Sequence, residues 1–311
     1  MIAFGADICR DFGRAVTKEW LEANGLGSYA SSTIIGANTR RYHGLLVAAL
    51  QPPTQRTVLL SKLEETLAVR EVEFDLSSNQ HPGVIHPQGH QHLLDFRLDP
   101  FPTFVYQVGD GLPTQLEKTV AMCHGRQAVI VRYRVLSAPG TVSLIVRPLV
   151  NCRDYHHLTT ENPDFDTAAA VSGARNLVSM TPYPGVPTLH IFLPGAYSEP
   201  WGDWYRNFEY PQEAARGLDF SEDLYSPGFF TCEFDQGDTR YLIASIEPPE
   251  NLDAARLLAA ERERRSALVR GWSGASEEMR TLVTAADTML VTRASESEGP
   301  EAKGILAGYH W

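Results

Sequence analysis

The sequence predicts a mainly β protein: a large antiparallel β-sandwich followed by α-helical linker segments. Three observations predict it. From about residue 40 to residue 246, apolar residues recur at every second position in short runs punctuated by Gly and Pro, as strands with one buried face require. No helical period separates these runs, which favours antiparallel sheets over a parallel α/β arrangement. After Pro248-Pro249 the composition shifts to Ala, Leu, Arg and Glu, all good helix formers.

Taken in order, the first element is a turn. Asn24-Gly25 and Gly27 permit positive φ, which other residues adopt only at a cost. The letters Gly25-Leu26-Gly27-Ser28-Tyr29-Ala30 also fit a dinucleotide fingerprint, but that motif needs a buried strand before it and a helix after it. Residues 17–24 are too polar for such a strand. Leu45 to Leu50 reads as a strand. Leu67-Ala68-Val69 and the alternating Val72-Glu73-Phe74-Asp75-Leu76 reverse at Arg70-Glu71. Val129, Val131, Tyr133 and Val135 share one strand face, Ala138-Pro139-Gly140 marks a turn, and Val142, Leu144 and Val146 resume the alternation, so a hairpin is expected. Phe230, Cys232 and Phe234 precede a Gln236-Gly237-Asp238 turn and a strand through Tyr241 and Ile243. A helix is expected over residues 251–272, with Glu261 and Arg265 at i,i+4. A second starts at Ser276 as N-cap, with Glu277 and Glu278 in its first turn. Its apolar stripe is Met279, Leu282, Val283, Ala286, Met289 and Leu290. Residues 294–303 are polar and linker-like.

Bulk properties narrow the function. With 311 residues the chain can bury one large or two ordinary cores. A net charge of −11 with no basic block disfavours nucleic acid as a partner, because neutralising phosphates takes a basic face. A neutral polysaccharide remains compatible. The four cysteines are far apart with no C-x-x-C pair, which favours neither structural zinc nor a disulfide framework. No signal peptide or run of 18 apolar residues occurs, so the expectation is a soluble cytoplasmic protein with no membrane partner, no cofactor and no metal.

The candidate binding residues fall in three places. Arg40, Arg41, Tyr42 and His43 offer a guanidinium fork and imidazole donors for a hydroxyl-rich ligand. The same arginines could instead pair with acids such as Glu64 or Glu65 and brace strand ends, and bracing or domain-interface duty is the preferred reading. Arg153 and Asp154, in the polar cluster 151–157 after a strand, suit a loop site on a rigid scaffold or a hydrogen-bonded corner. Trp201 and Trp204 lead an aromatic, acid-containing segment over residues 200–225 that suits sugar stacking, core filling or a domain contact. The histidines of residues 81–92 lack carboxylate or thiol ligands at metal spacing and read as an ordinary loop. Glycoside hydrolysis would need two carboxylates across the scissile bond. Asp203, Asp219, Glu222 and Asp223 are available as candidates.

Residues 19–67, which carry Asn38-Thr39-Arg40-Arg41-Tyr42-His43-Gly44 and Leu59-Leu60-Ser61-Lys62-Leu63-Glu64-Glu65, resemble the bacterial and archaeal type of glycogen debranching enzyme, the amylo-α-1,6-glucosidase family. Arg216-Gly217-Leu218-Asp219-Phe220, Asp223-Leu224-Tyr225-Ser226-Pro227-Gly228 and Ala307-Gly308-Tyr309-His310-Trp311 extend the resemblance. It implies a supersandwich-like N-terminal β domain over 1–250, a helical linker and the start of a helical region over 251–303, and the truncated beginning of an α/α-barrel catalytic domain at 304–311. An apolar, aromatic end at Trp311 agrees with a chain that is cut. The implied partners are an α-glucan of glycogen type and the C-terminal helical catalytic domain of the same polypeptide. The resemblance places no catalytic carboxylate in these residues, so the chain alone is expected to be inactive although the parent family are glycoside hydrolases. A stand-alone carbohydrate-binding or interaction module and a self-sufficient hydrolase are the alternatives.

Overall fold

The computed structural model describes residues 2–111, 113–172, 176–295 and 299–310; Trp311, singled out above, lies outside them. Two antiparallel sheets, of nine and ten strands among the described residues, face each other across one large core. The first runs, edge to edge, through Ile2–Gly5, Leu93–Leu98, Pro102–Val108, Thr114–Met122, Ala128–Ser137, Thr239–Ser245, Leu189–Phe192, Leu177–Met180 and Ala169–Ser172. The spine of the second is the pairing of Thr54–Val69 with Val142–Asp154. Gly44–Gln51, Tyr29–Thr33 and Glu19–Ala23 extend it on one side, and Phe229–Phe234 and Ser221–Ser226 on the other.

Alternation decides which side chains enter the core. Val129, Val131, Tyr133 and Val135 are fully buried on one face of their strand. Leu46 and Ala48 enter the main core, whereas Val47 faces the other way into a second cluster. One polar group bridges the sheets: the Glu65 carboxylate accepts from Lys118 Nζ and Tyr133 Oη, both at 2.6 Å. All four cysteines are buried, and burial pushes their thiols up to about 11–12.

The reversal at Arg70 forms as expected, with Val69 opposite Val72 and Arg70 at φ +59°. The hairpin expected around Ala138-Pro139-Gly140 does not. Ala128–Ser137 belongs to the first sheet and Val142–Asp154 to the second, so this turn crosses the sandwich. The Gln236-Gly237-Asp238 turn crosses too, and the crossings touch where Gly237 N–H donates to the Val135 carbonyl at 2.8 Å. Period-two patterning identifies the apolar face of a strand, not its neighbour. Here the two apolar faces meet across the core instead of lying side by side.

Both helices form, over Ala254–Arg270 and Glu277–Thr288, capped by Asp253 and Ser276. The first is fastened to the sandwich by Arg265, which forks onto Glu22 at 2.9 and 2.6 Å and also holds Glu261 at 2.7 Å. The stripe of the second stays largely uncovered, with Met279 43% and Leu282 62% exposed. The linker-like stretch is instead a ladder of Leu290–Ser295 against Gly299–Ile305; residues 296–298 lie outside the described residues. Among the described residues no helix is long and apolar enough to cross a membrane.

The Asn24–Gly27 turn is built as its glycines require. Asn24 Oδ1 accepts from Leu26 N and Ser28 N at 2.8 and 3.1 Å, and Gly25 and Gly27 sit at φ +75° and +92°. A strand, not a helix, follows, so the arrangement is no dinucleotide cradle. A Cβ on Gly27 would lie 2.6 Å from the Pro53 carbonyl oxygen, whereas one on Gly36, at φ +69°, would meet nothing within 4 Å. Gly27→Ala should therefore cost about 3 kcal/mol, from strain plus the clash, and Gly36→Ala about 1 kcal/mol. Urea denaturation of both variants checks this, and equal losses would remove the close approach as the cause.

Candidate functional site

The Arg40–His43 loop lies at one end of the ten-stranded sheet, where guanidiniums join it to loops distant in sequence. Arg41 Nε donates to Glu213 Oε2 at 3.1 Å, Nη1 to the His156 carbonyl at 2.5 Å, and Nη2 to the Asp219 carbonyl at 2.9 Å. One side chain thus ties together residues 41, 156, 213 and 219. Arg153 lies beneath it. Its Nε donates to Glu222 Oε1, and its Nη2 to Glu222 Oε2 at 3.0 Å and to the Arg41 carbonyl at 2.8 Å. Glu222 is fully buried and also accepts from Tyr210 Oη at 2.5 Å and Thr159 N at 3.0 Å. Asp223 holds two more loops, accepting from Glu161 N and Asn207 N at 3.0 and 2.9 Å.

The bracing reading therefore applies here, with corrected partners. The bracing acids are Glu19, Glu213 and Glu222, while Glu64 and Glu65 pair with Lys62 and Lys118. Sequence alone missed them because ion pairs 21 to 172 residues apart leave no local spacing signal. What remains exposed around the braced loops is Asp154, His156, His157, Leu218, Asp219 and Phe220. Asp154 accepts from His156 N at 2.9 Å, which fixes that loop.

The two tryptophans part company. Trp204 packs into the sandwich against Phe165 and Tyr225, with ring centroids at 4.8 and 5.4 Å. Trp201 is 61% exposed, and none of the hydrogen bonds or ring contacts given above joins it to the Arg41 cluster.

Beside the cluster, the outer face of the same sheet carries a second small core of Tyr29, Tyr42, Val47, Val58, Tyr155 and Tyr309. Arg56 lies 5.5 Å from the Tyr155 ring and 5.2 Å from that of Tyr309. Tyr309 Oη donates to the Thr288 carbonyl at 2.8 Å. Tyr42 and His43, candidates for ligand contact, are thus buried under residues 306–310, with His310 stacked on Tyr42 at 6.5 Å. The aromatic content of that segment was the only sequence signal for this seat.

Arg40 holds Glu19 at 2.7 Å, and His43 Nε2 lies 3.4 Å from the same carboxylate. Burial favours the protonated Glu19, but these two neighbours outweigh it and hold its carboxyl at about 2. Glu19, His43 and His310 present ligand atoms within 4.8 Å of one another, a spacing a cation could use. The hydrogen bond on the far side of the His43 ring argues against one. A ligating imidazole donates its other N–H outward, whereas His43 Nδ1 accepts the Thr39 N–H at 3.1 Å.

A family model described as "Glycogen debranching enzyme N terminal" matches residues 18–241. No curated protein matches the chain significantly in sequence. Among solved structures, a bacterial glucoamylase complexed with acarbose is 9% identical over 89% of this chain and 36% of its own, with a TM-score of 0.36. A 4-alpha-glucanotransferase from Thermococcus litoralis is 14% identical over 63% of this chain and 28% of its own, with a TM-score of 0.32. A heparinase III is 9% identical over 47% and 19%, with a TM-score of 0.29. These are distant likenesses, and the chain spans well under half of each.

Removing Arg153 would leave Glu222 charged and buried without its cation. Arg153→Ala should lose about 3–5 kcal/mol, whereas Arg40→Ala, at a partly solvated pair, should lose under about 1 kcal/mol. Chemical denaturation separates them; similar losses would contradict the bracing role.

Proposed function

Because the chain belongs to the glycogen debranching enzyme N-terminal family, we infer that this domain forms one wall of an α-glucan cleft. It works beside a helical catalytic domain of the same polypeptide and hydrolyses nothing by itself. The observation that carries this reading is the convergence on Arg41: its guanidinium brings the 154–157 and 218–220 loops to one surface. Asp154 and Asp219 offer acceptors there, His156 and His157 offer donors, and Phe220 offers a flat apolar face. A neutral saccharide needs these three kinds of contact, since its hydroxyls both donate and accept and its C–H faces stack on rings.

The acids beneath that surface support the non-hydrolytic part. Glu213 and Glu222 are committed to guanidiniums and Asp223 to backbone N–H groups. A general acid or a nucleophile has to be free to exchange a proton or attack, and these carboxylates are engaged in holding loops.

Titration with a maltooligosaccharide tests the wall. Phe220→Ala combined with His157→Ala should weaken binding at least about fivefold, a loss of about 1 kcal/mol, while Trp201→Ala leaves it unchanged. The opposite pattern would move the site to the tryptophan edge, and no binding by any variant would leave an architectural role. Free-glucose release from branched limit dextrin by the purified chain should stay at background; robust turnover would contradict the non-catalytic reading.

A further inference from the structure

The imidazoles of His43 and His310 meet where the glucan surface makes no use of them. Their ring centroids are 5.3 Å apart, and Nε2 of each is buried without a hydrogen-bond partner. Thr39 N–H points at His43 Nδ1 at 3.1 Å, so a neutral His43 must carry its proton on Nε2. That N–H has the Glu19 carboxylate 3.4 Å away, and a ring nitrogen of His310 belongs to the same group of atoms within 4.8 Å of one another. A neutral His310 can leave its buried Nε2 without a proton. A protonated His310 would have to bury an N–H on that Nε2, which has no acceptor, beside the rings of Tyr29 and Tyr42.

We propose that this seat accepts His310 only as the neutral imidazole, so that residues 306–310 are held on the sandwich by a proton-sensitive latch.

The surrounding charges agree. Arg40 from the loop and Arg56 from the Thr54–Val69 strand both disfavour an imidazolium, and Glu19 from its edge strand favours it. The nearby Tyr29 and Tyr309 contribute hydroxyls rather than charge, since burial raises their phenols. Burial acts most strongly, then His43, and together with the arginines they outweigh Glu19 and press His310 down to about 3. Burial lowers His43 as well. A depressed histidine stabilises docking fully above its free value of about 6.5 and loses that contribution as pH falls toward the docked value, about tenfold per pH unit.

Hydrogen exchange of the full chain tests the latch. After correction for intrinsic rates, the peptide covering residues 304–311 should show about twentyfold less protection at pH 5 than at pH 7, while the Ala128–Ser137 strand is unchanged. His310→Gln keeps an acceptor oxygen and cannot take the proton, so its segment should stay protected at both pH values. Flat wild-type protection from pH 7 to pH 5 overturns the latch, as does a pH response that persists in the variant or a variant unprotected throughout. An NMR titration of the His310 ring reads the same question independently: a midpoint below about 5 supports it, and one near the free value of about 6.5 overturns it.

Discussion

The buried pair of Arg153 with Glu222 is the constraint on which the Arg41 end of this domain depends. A carboxylate with no solvent exposure is tolerable only if its lone pairs are used, and here Arg153, Tyr210 and Thr159 use them. Each partner arrives on a different segment, so satisfying the charge fixes where those segments meet. Arg153 then donates to the Arg41 carbonyl, which sets the loop whose own guanidinium collects residues 156, 213 and 219. Such a pair contributes little net stability over an apolar alternative but tolerates few other arrangements. Its value here is positional.

The arrangement gives Arg40 and Arg41 the bracing duty preferred for them, with acids other than Glu64 and Glu65. Arginine forks suit ligand carboxylates and hydroxyls, and they suit a protein's own loops equally well. Offered as braces or as ligand contacts, Arg41 and Arg153 are part of the frame, and the groups left at the surface are loop residues such as His157 and Phe220 that carry no distinctive spacing. Trp204 shows the same substitution of roles: its ring completes a cluster with Phe165 and Tyr225 inside the sandwich. Aromatic content indicates a contact without saying with what.

How much was legible follows from the range of each interaction. Face assignments in Ala128–Ser137, the reversal at Arg70, the positive φ of Gly25 and Gly27 and the cap at Ser276 are set by residues within a few positions of each other. Sequence patterning reads such signals directly. The sheet crossings at 138–141 and 236–238 were not legible as crossings, because a turn followed by alternation looks the same whether the chain returns beside itself or passes to the opposite sheet. The link of Arg265 to Glu22 spans 243 positions, and no local pattern could supply it.

Two kinds of joint therefore hold different parts of the structure around the same sheet. Arg41, Arg153 and Arg265 keep their charge at any physiological pH, so the loops and the first helix that they fasten are fastened permanently. Residues 306–310 are held otherwise, through the Tyr309 ring, its hydroxyl bond to Thr288, the Leu306 N–H to the Met289 carbonyl at 2.9 Å and a pair of imidazoles. Among the described residues no guanidinium-to-carboxylate fork reaches that segment; Arg56 lies over the Tyr309 ring and directs its Nε to the Gly27 carbonyl. A cation–π contact and T-shaped rings contribute about 0.5–2 kcal/mol each, enough to dock a segment and little enough for one protonation to compete with it. The fixed charges hold loops and a helix in place, and the neutral seat holds residues 306–310 by contacts that a proton can oppose.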